Sequence, residues 1–264
     1  MHVIVLGNGL LGSHIKRLYP QITVLSHQEC DILYPLQIDR VLHTYKPDVV
    51  INTTGIVPKH PKISDSLYTL KVNSQGPKLL ASACDEFGCK LVQISTNCVY
   101  SGQKGNYSEI DIPNPNDLYG MSKYLGEVTE YPHLVIRTSF VGFPDVGKRG
   151  LLHWASQQSK ILGYDGFYWN GLTATEFARV LIEQIIPRGL THLIHVHGEI
   201  LTKYQLLEQA KEVFKWNYTL LQESAEVSEP HQANFTLTSE MDELFIKTPF
   251  KEQLQEMKKL WEVL

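Results

Sequence analysis

His2-Val-Ile-Val-Leu-Gly7-Asn-Gly9-Leu-Leu-Gly12-Ser13 stands near the head of a 264-residue chain. Residues 2–6 are apolar and β-branched enough for a short strand, and His14-Ile-Lys-Arg-Leu-Tyr19 begins an apolar helix pattern that Pro20 breaks. The glycines between them have the spacing G-x-G-x-x-G, in the strand-to-helix setting that separates a dinucleotide loop from a chance match. The first glycine permits the tight turn, the second lets a pyrophosphate approach the backbone, and the third packs helix against strand. Unpaired N–H groups and the positive end of the helix dipole then face the phosphates. The expected cofactor loop is Gly7, Asn8, Gly9, Leu10, Leu11 and Gly12.

Working outward, Ile22-Thr-Val-Leu-Ser26 reads as the second strand. An acid at its end, about 20 residues beyond the glycines, would hold the ribose 2′-hydroxyl of NAD. Ser26 and His27 stand there, with Glu29 and Asp31 further along. A carboxylate would repel a 2′-phosphate, whereas Ser26 and His27 can donate to it. NADP(H) is therefore favoured, with NAD as the alternative.

Residues 35–46 read as a helix closed by Lys46-Pro47, and Asp48-Val-Val-Ile-Asn-Thr-Thr-Gly55 as a strand buried on both faces. Ile56-Val-Pro-Lys-His-Pro61 is then the loop at its carboxyl end, where α/β sheets bind ligands. Lys59 and His60 can meet an anionic substrate there. A long helix over 64–87 carries Asn73 in its middle, with Gly76-Pro77 bending it. Asn is a poor helix-interior residue, so Asn73 is expected to hydrogen-bond something facing it.

Lys90-Leu-Val-Gln-Ile-Ser-Thr-Asn97 is the next strand, with three polar side chains where a cofactor's reactive end should lie. Thr96 is a candidate donor to a carbonyl. His133 to Phe140 forms another strand. The alternation over residues 1–140 predicts an α/β fold with a doubly wound parallel (Rossmann) sheet. Helical patterns at 151–160, 173–186, 202–215 and 250–264, with a short strand at 193–197, predict a smaller, mostly helical C-terminal lobe. The expected division is 1–147 for the dinucleotide and 148–264 for the substrate, partly interleaved.

Tyr119 and Lys123 are four residues apart, just after Asn114-Pro-Asn-Asp117, which looks like a helix start. On a helix they share a face about one turn apart, and a nearby cation favours a phenolate over the phenol. Tyr100 and Lys104 have the same spacing, but Gly102 between them and the strand before them mark a loop.

A net charge of −4 gives no basic field for nucleic acid, so an anionic ligand must be held by local groups. No apolar run approaches a membrane span, and the start shows no signal-peptide pattern. Cys30, Cys84, Cys89 and Cys98 lack the C-x-x-C spacing of a zinc or redox site. Free thiols in the cytoplasm are the expectation. His195 and His197 alternate onto one face, but no acidic or thiol partner is in view, so no metal is expected.

In order, these segments resemble the extended short-chain dehydrogenase/reductases, and within them the dTDP-4-dehydrorhamnose reductase branch of sugar-nucleotide enzymes. The resemblance is carried by Gly7 to Ser13, Asp31-Ile32, Pro47 to Asn52, Val72-Asn-Ser-Gln-Gly-Pro77, Ser95-Thr-Asn-Cys-Val-Tyr100, Tyr119 to Glu127 and Arg137-Thr-Ser-Phe-Val-Gly142. It continues more thinly through Trp169-Asn-Gly-Leu-Thr-Ala-Thr-Glu-Phe-Ala178.

The resemblance implies Tyr119 as proton donor, Lys123 as its pKa-lowering neighbour bonded also to the nicotinamide ribose, and Thr96 polarising a sugar carbonyl. Asp31 and Ile32 would flank the adenine, and Thr54, Gly55, Ile56, Asn73 and Tyr119 itself complete the cofactor set. Family members usually carry Asp at the position of Asn97 and often Trp at that of Phe140. Both residues therefore join Lys59 and His60 as expected substrate contacts. The implied reaction is NAD(P)H-dependent reduction of a 4-keto group on a nucleotide-linked 6-deoxyhexose, and family analogy suggests a homodimer. Two alternatives stay open: an epimerase or dehydratase with a retained cofactor, for which Cys98 and His60 are available, and a non-catalytic regulatory subunit like that of methionine adenosyltransferase.

Overall fold

A computed structural model describes residues 1–145, 150–223, 232–241 and 244–262. The expected boundary at 147/148, and Leu264 of the last helix, lie outside the described residues. The first half alternates through β1 (Val3–Leu6), α1 (Leu10–Leu18), β2 (Thr23–Leu25), α2 (Pro35–Tyr45) and β3 (Val49–Asn52). It continues through α3 (Ser66–Leu70), α4 (Gly76–Phe87), β4 (Lys90–Ile94), α5 (Leu118–Leu125) and β5 (Leu134–Arg137). Then follow β6 (Phe140–Val141), α6 (Leu151–Ser156), β7 (Lys160–Tyr164), β8 (Phe167–Trp169), β9 (Leu172–Thr173), α7 (Ala174–Val180) and α8 (Ile186–Arg188). The chain ends with β10 (His192–His195), β11 (Leu201–Thr202), α9 (Lys203–Phe214), β12 (Thr219–Glu223), β13 (Ala233–Asn234) and α10 (Phe250–Glu262).

One parallel sheet of six strands runs in the order β10-β5-β4-β3-β1-β2. Helices cover both faces, which is why the strands read as nearly unbroken apolar runs. Ile4 and Leu6 face one core with Val50, Leu91, Ile38 and Leu80. Val5 faces the other with Ile51, Val92, Phe177 and Leu181. Each fully buried Ile or Leu stabilises the fold by about 1.5–3 kcal/mol. The order reverses direction between β1 and β3, so a crevice opens at their carboxyl ends, the usual ligand position in such sheets.

The helix expected over 64–87 is interrupted. α3 and α4 are joined by a wide π turn at Lys71–Gln75. Pro77 has no N–H for the carbonyl of Asn73 four residues earlier, so regular α bonding cannot continue through this turn.

The C-terminal lobe has the expected helices but also three small sheets, β11-β8-β13, β12-β7 and β6-β9. The helix expected over 151–160 stops at Ser156, and Lys160 already begins β7. Strands of two to five residues give too little alternation to be read from sequence. A third core, with Leu152, Trp169, Leu207, Phe250, Leu254 and Met257, holds this lobe together. β10 leaves the lobe and pairs with β5, so the later chain completes the first sheet.

Candidate active site

The glycine loop is shaped by three different steric demands. Gly7 has φ +105°, and a Cβ there would lie 2.6 Å from Thr53 Oγ1. At Gly12 a Cβ would lie 1.9 Å from the carbonyl oxygen of Gly7, so the start of α1 rests directly on the end of β1. A Cβ at Gly9 would meet nothing within 4 Å. That open backbone, at a helix N-terminus with no side-chain cap and no acid in the first turn, fits the phosphates of a dinucleotide.

Beyond β2, the amide and hydroxyl of Ser26 both donate to Glu29 Oε2, each at 2.7 Å. These bonds hold the Glu29 carboxyl below its usual range. His27 is largely exposed and 3.8 Å from Asp31. Asp31 accepts the Leu33 amide at 3.0 Å, and Ile32 is buried against Gly76.

After β3, the Thr54 amide and hydroxyl donate to Asn52 Oδ1, whose own amide group donates to Gln93 across the sheet. Asn73 clamps the next turn. It accepts from the Ile56 amide at 2.7 Å, and its Nδ2 donates to the Ile56 carbonyl and to Ser122 Oγ, both at 2.9 Å. The helix-interior asparagine thus ties the Gly55-Ile56 turn to α5.

Asp117 caps α5 by accepting the Gly120 amide at 2.7 Å. Two glycines let this helix lie close to its neighbours. A Cβ at Gly120 would fall 2.0 Å from the Cys98 carbonyl oxygen, and one at Gly126 1.9 Å from that of Asn73. Lys123 is 7% exposed and donates to the Ile94 carbonyl at the end of β4. Burial pushes its amine down to about 8, against a smaller upward pull from Glu127. Tyr119 moves the other way. Burial, then the neighbouring Cys98, raises its phenol above the usual range, and a hydrogen bond with the Thr96 hydroxyl opposes them. The expected lowering of the phenol by Lys123 is not seen, because the amine is turned to Ile94 and the desolvated phenol keeps its proton.

Thr96 is buried and its hydroxyl oxygen accepts the Cys98 amide at 3.2 Å. Burial raises the Cys98 thiol, which suits packing better than proton transfer. Asn97 donates to the Phe235 carbonyl at 3.0 Å. Phe235 meets Phe167 at 5.7 Å, and Lys203 Nζ lies 5.5 Å from the Phe167 ring centre. The Lys203 amine is lowered by burial and by the charge of Lys59. The Lys59 and Lys203 charges are thus close enough to interact, with no acidic partner for either among the described residues. The His60 ring accepts the Lys62 amide at 3.1 Å. Phe140 is half-buried and stacks on Phe177 at 5.4 Å, at the edge of the core.

Behind Lys123 lies an ion pair that sequence reading passed over. Arg137 donates twice to Glu127, at 2.9 and 2.7 Å, with side chains 4% and 5% exposed. Ser95 donates to the same carboxylate at 2.6 Å, and Arg137 also donates to Tyr100 Oη at 2.7 Å. Tyr100 lies in a loop, as expected, but its side chain is fully buried and stacks on Tyr107. His195 is wholly buried 3.3 Å from Tyr100 Oη, and His197 lies beside Phe245. Among the described residues no group of three or more His, Cys, Asp or Glu could hold a metal, and no helix is long and apolar enough to cross a membrane.

With the glycine loop of β1 and the tyrosine–lysine helix meeting across one parallel sheet, the chain falls in the extended short-chain dehydrogenase/reductase class. Residues 1–159, more than half its length, match the family described as RmlD substrate binding domain, and the chain belongs to that family. It is 32% identical over 173 residues to the dTDP-4-dehydrorhamnose reductase of Burkholderia thailandensis, covering 61% of this chain and 58% of that one. It is 31% identical over 159 residues to the enzyme of the same name from Mycobacterium tuberculosis, covering 55% and 52%. The matches thus span little more than half of those relatives. The fold is similar to that of a Bacillus anthracis dTDP-4-dehydrorhamnose reductase solved with NADP, with a TM-score of 0.83, 22% identity and 98% coverage of both chains.

Proposed function

We propose that this chain uses NADPH, with NADH as the alternative, to reduce the 4-keto group of a nucleotide-linked 6-deoxyhexose. The observation that carries the reading is the hydrogen bond between the Thr96 hydroxyl and the Tyr119 phenol, with Lys123 one helical turn further along α5 and bonded to the Ile94 carbonyl at the end of β4. The bound dinucleotide supplies the hydride. Thr96 donates to the keto oxygen, and Tyr119 protonates the oxygen as it becomes an alkoxide. A phenol kept protonated by burial suits that direction of proton flow. Lys123, anchored by the Ile94 carbonyl, has the remaining donors of its ammonium for the nicotinamide ribose. Asn73 keeps the Gly55-Ile56 backbone in place under the cofactor.

On the substrate side, Asn97 orients the sugar, while Lys59 and Lys203 attract the diphosphate. His60 and Phe140 are the further substrate contacts of this reading. The names of the relatives support a deoxythymidine diphosphate sugar as the first candidate. Leu67, Met121, Tyr124 and Leu125 are exposed, which supports a second copy of the chain as partner, testable by sedimentation.

The test is oxidation of NADPH or NADH with a panel of nucleotide-linked 4-keto-6-deoxyhexoses. Stoichiometric dinucleotide consumption and a reduced sugar product support the reading. Isomerised or dehydrated sugar without net consumption, or no turnover on any member, overturns it.

A further inference from the structure

Resting on the reductase reading above, we propose that Ser95 is a positioning residue for Thr96. Its hydroxyl, bonded to the buried Glu127–Arg137 pair, sets the distance between the strand end that carries Thr96 and the helix that carries Tyr119.

Thr96 stands as a bridge between two anchored neighbours. The Ser95 amide donates to the Ile136 carbonyl at 2.8 Å, and the Asn97 amide donates to the Thr138 carbonyl at 3.2 Å. Thr96 itself is extended, with φ −142° and ψ 153°. These backbone bonds run within the sheet and leave open its distance to α5. Side chains decide that distance. Ile94 and Ile136 face one core, so Ser95 and Arg137, each one residue further on, project from the opposite face.

The Ser95 hydroxyl crosses the gap and donates to Glu127 Oε1 at 2.6 Å, two residues beyond the end of α5. From the same helix, Lys123 reaches the Ile94 carbonyl at 2.7 Å. Helix and strand end are thus tied at two consecutive residues, and Thr96 is the third. Glu127 is a firm anchor, because Arg137 donates to both of its oxygens and is held in turn by Tyr100 Oη. Gly126 leaves no slack before it, since a Cβ there would lie 1.9 Å from the Asn73 carbonyl oxygen. Arg137 alone neutralises the carboxylate, so charge does not call for the serine. What Ser95 adds is a short, charge-assisted bond of fixed direction. Without it the strand end is free to shift from α5, and Thr96 and Tyr119 no longer address one sugar oxygen. A misplacement of about 1 Å at a reacting centre costs on the order of 10²-fold in rate.

Steady-state oxidation of NADPH, with the nucleotide-linked 4-keto-6-deoxyhexose that the wild type turns over fastest, tests this. The variants are Ser95→Ala, Ser95→Thr, Thr96→Ala and the Ser95→Ala/Thr96→Ala double, with thermal melting as the folding control. Ser95→Ala should lower kcat by about 10–100-fold while KM for the sugar stays within about threefold. Ser95→Thr keeps the hydroxyl and should recover most of the rate. In the Thr96→Ala background, Ser95→Ala should cost less than about threefold, because the group it positions is already gone. A Ser95→Ala kcat within about twofold of wild type, or single losses that multiply in the double variant, overturns the role of Ser95 and leaves the reductase reading standing. Wild-type protein that turns over no such sugar removes both.

Discussion

Lys123 donates to the carbonyl oxygen of Ile94 at 2.7 Å and pairs with no carboxylate among the described residues. That single bond fixes a buried amine at the end of β4 and leaves its protonation open to pH. Burial has moved it from an ordinary 10.5 to about 8. The folded value is the lower one, so between about 8 and 10.5 the unfolded chain binds more protons. The stability linked to Lys123 is therefore least below about pH 8 and rises with pH through that window. The Tyr119 phenol keeps its proton throughout. Under the proposed reaction, kcat/KM should fall above about pH 8, and Lys123→Arg should lose this limb along with part of the rate. A limb that stays in place in the arginine variant would assign it to another group.

On the reading proposed above, Tyr119→Phe removes the proton donor. Its kcat should drop by about 10²–10⁴-fold. The dissociation constant for the dinucleotide should stay within about twofold, since the phenol acts on the sugar oxygen. Single-turnover kinetics with equilibrium titration separate the two effects.

Gly9 and Gly12 should respond differently to the same added methyl group. Gly9→Ala meets open space, so its urea stability should stay within about 0.5 kcal/mol of wild type. Dinucleotide binding should nevertheless weaken by about tenfold or more, because the methyl stands where the pyrophosphate approaches. Gly12→Ala puts a carbon against the Gly7 carbonyl, forces α1 away from β1, and should cost about 1–3 kcal/mol as well as binding.

Arg137→Met leaves the Glu127 carboxylate buried with, among the described residues, only Ser95 to satisfy it. The loss should be about 3–5 kcal/mol in urea denaturation. Adding Glu127→Gln to that variant should recover part of it, since no charge is then stranded. A double variant no more stable than the single one would show that packing, not charge, dominates at this site.

The parts that sequence reading located are those whose physics is local. The G-x-G-x-x-G turn and the i, i+4 spacing of Tyr119 and Lys123 need only a few consecutive residues to be recognised. Asn73 was legible as an oddity in a helix, although its partner Ile56 was not. Glu29 was visible just beyond the strand, but nothing in the sequence shows the turn that folds it back onto Ser26. Lys203, Phe167 and Phe235 come from distant segments and short strands, so nothing nearby in the chain announces them. The sense of the Tyr119 shift was also hidden, since it depends on how far burial outweighs a lysine that faces elsewhere.

The return of β10 to the edge of β5 governs how this polypeptide can be dissected. A truncation near residue 145 would remove Phe177, Leu181 and Ile194 from the inner face and bare the backbone groups along β5. Such a fragment would keep every element of the nucleotide loop, yet offer neighbouring molecules a sticky, unpaired rim and a hollow beneath it. Expressed alone, it should precipitate, because the second half of the gene encodes the wall that closes the first.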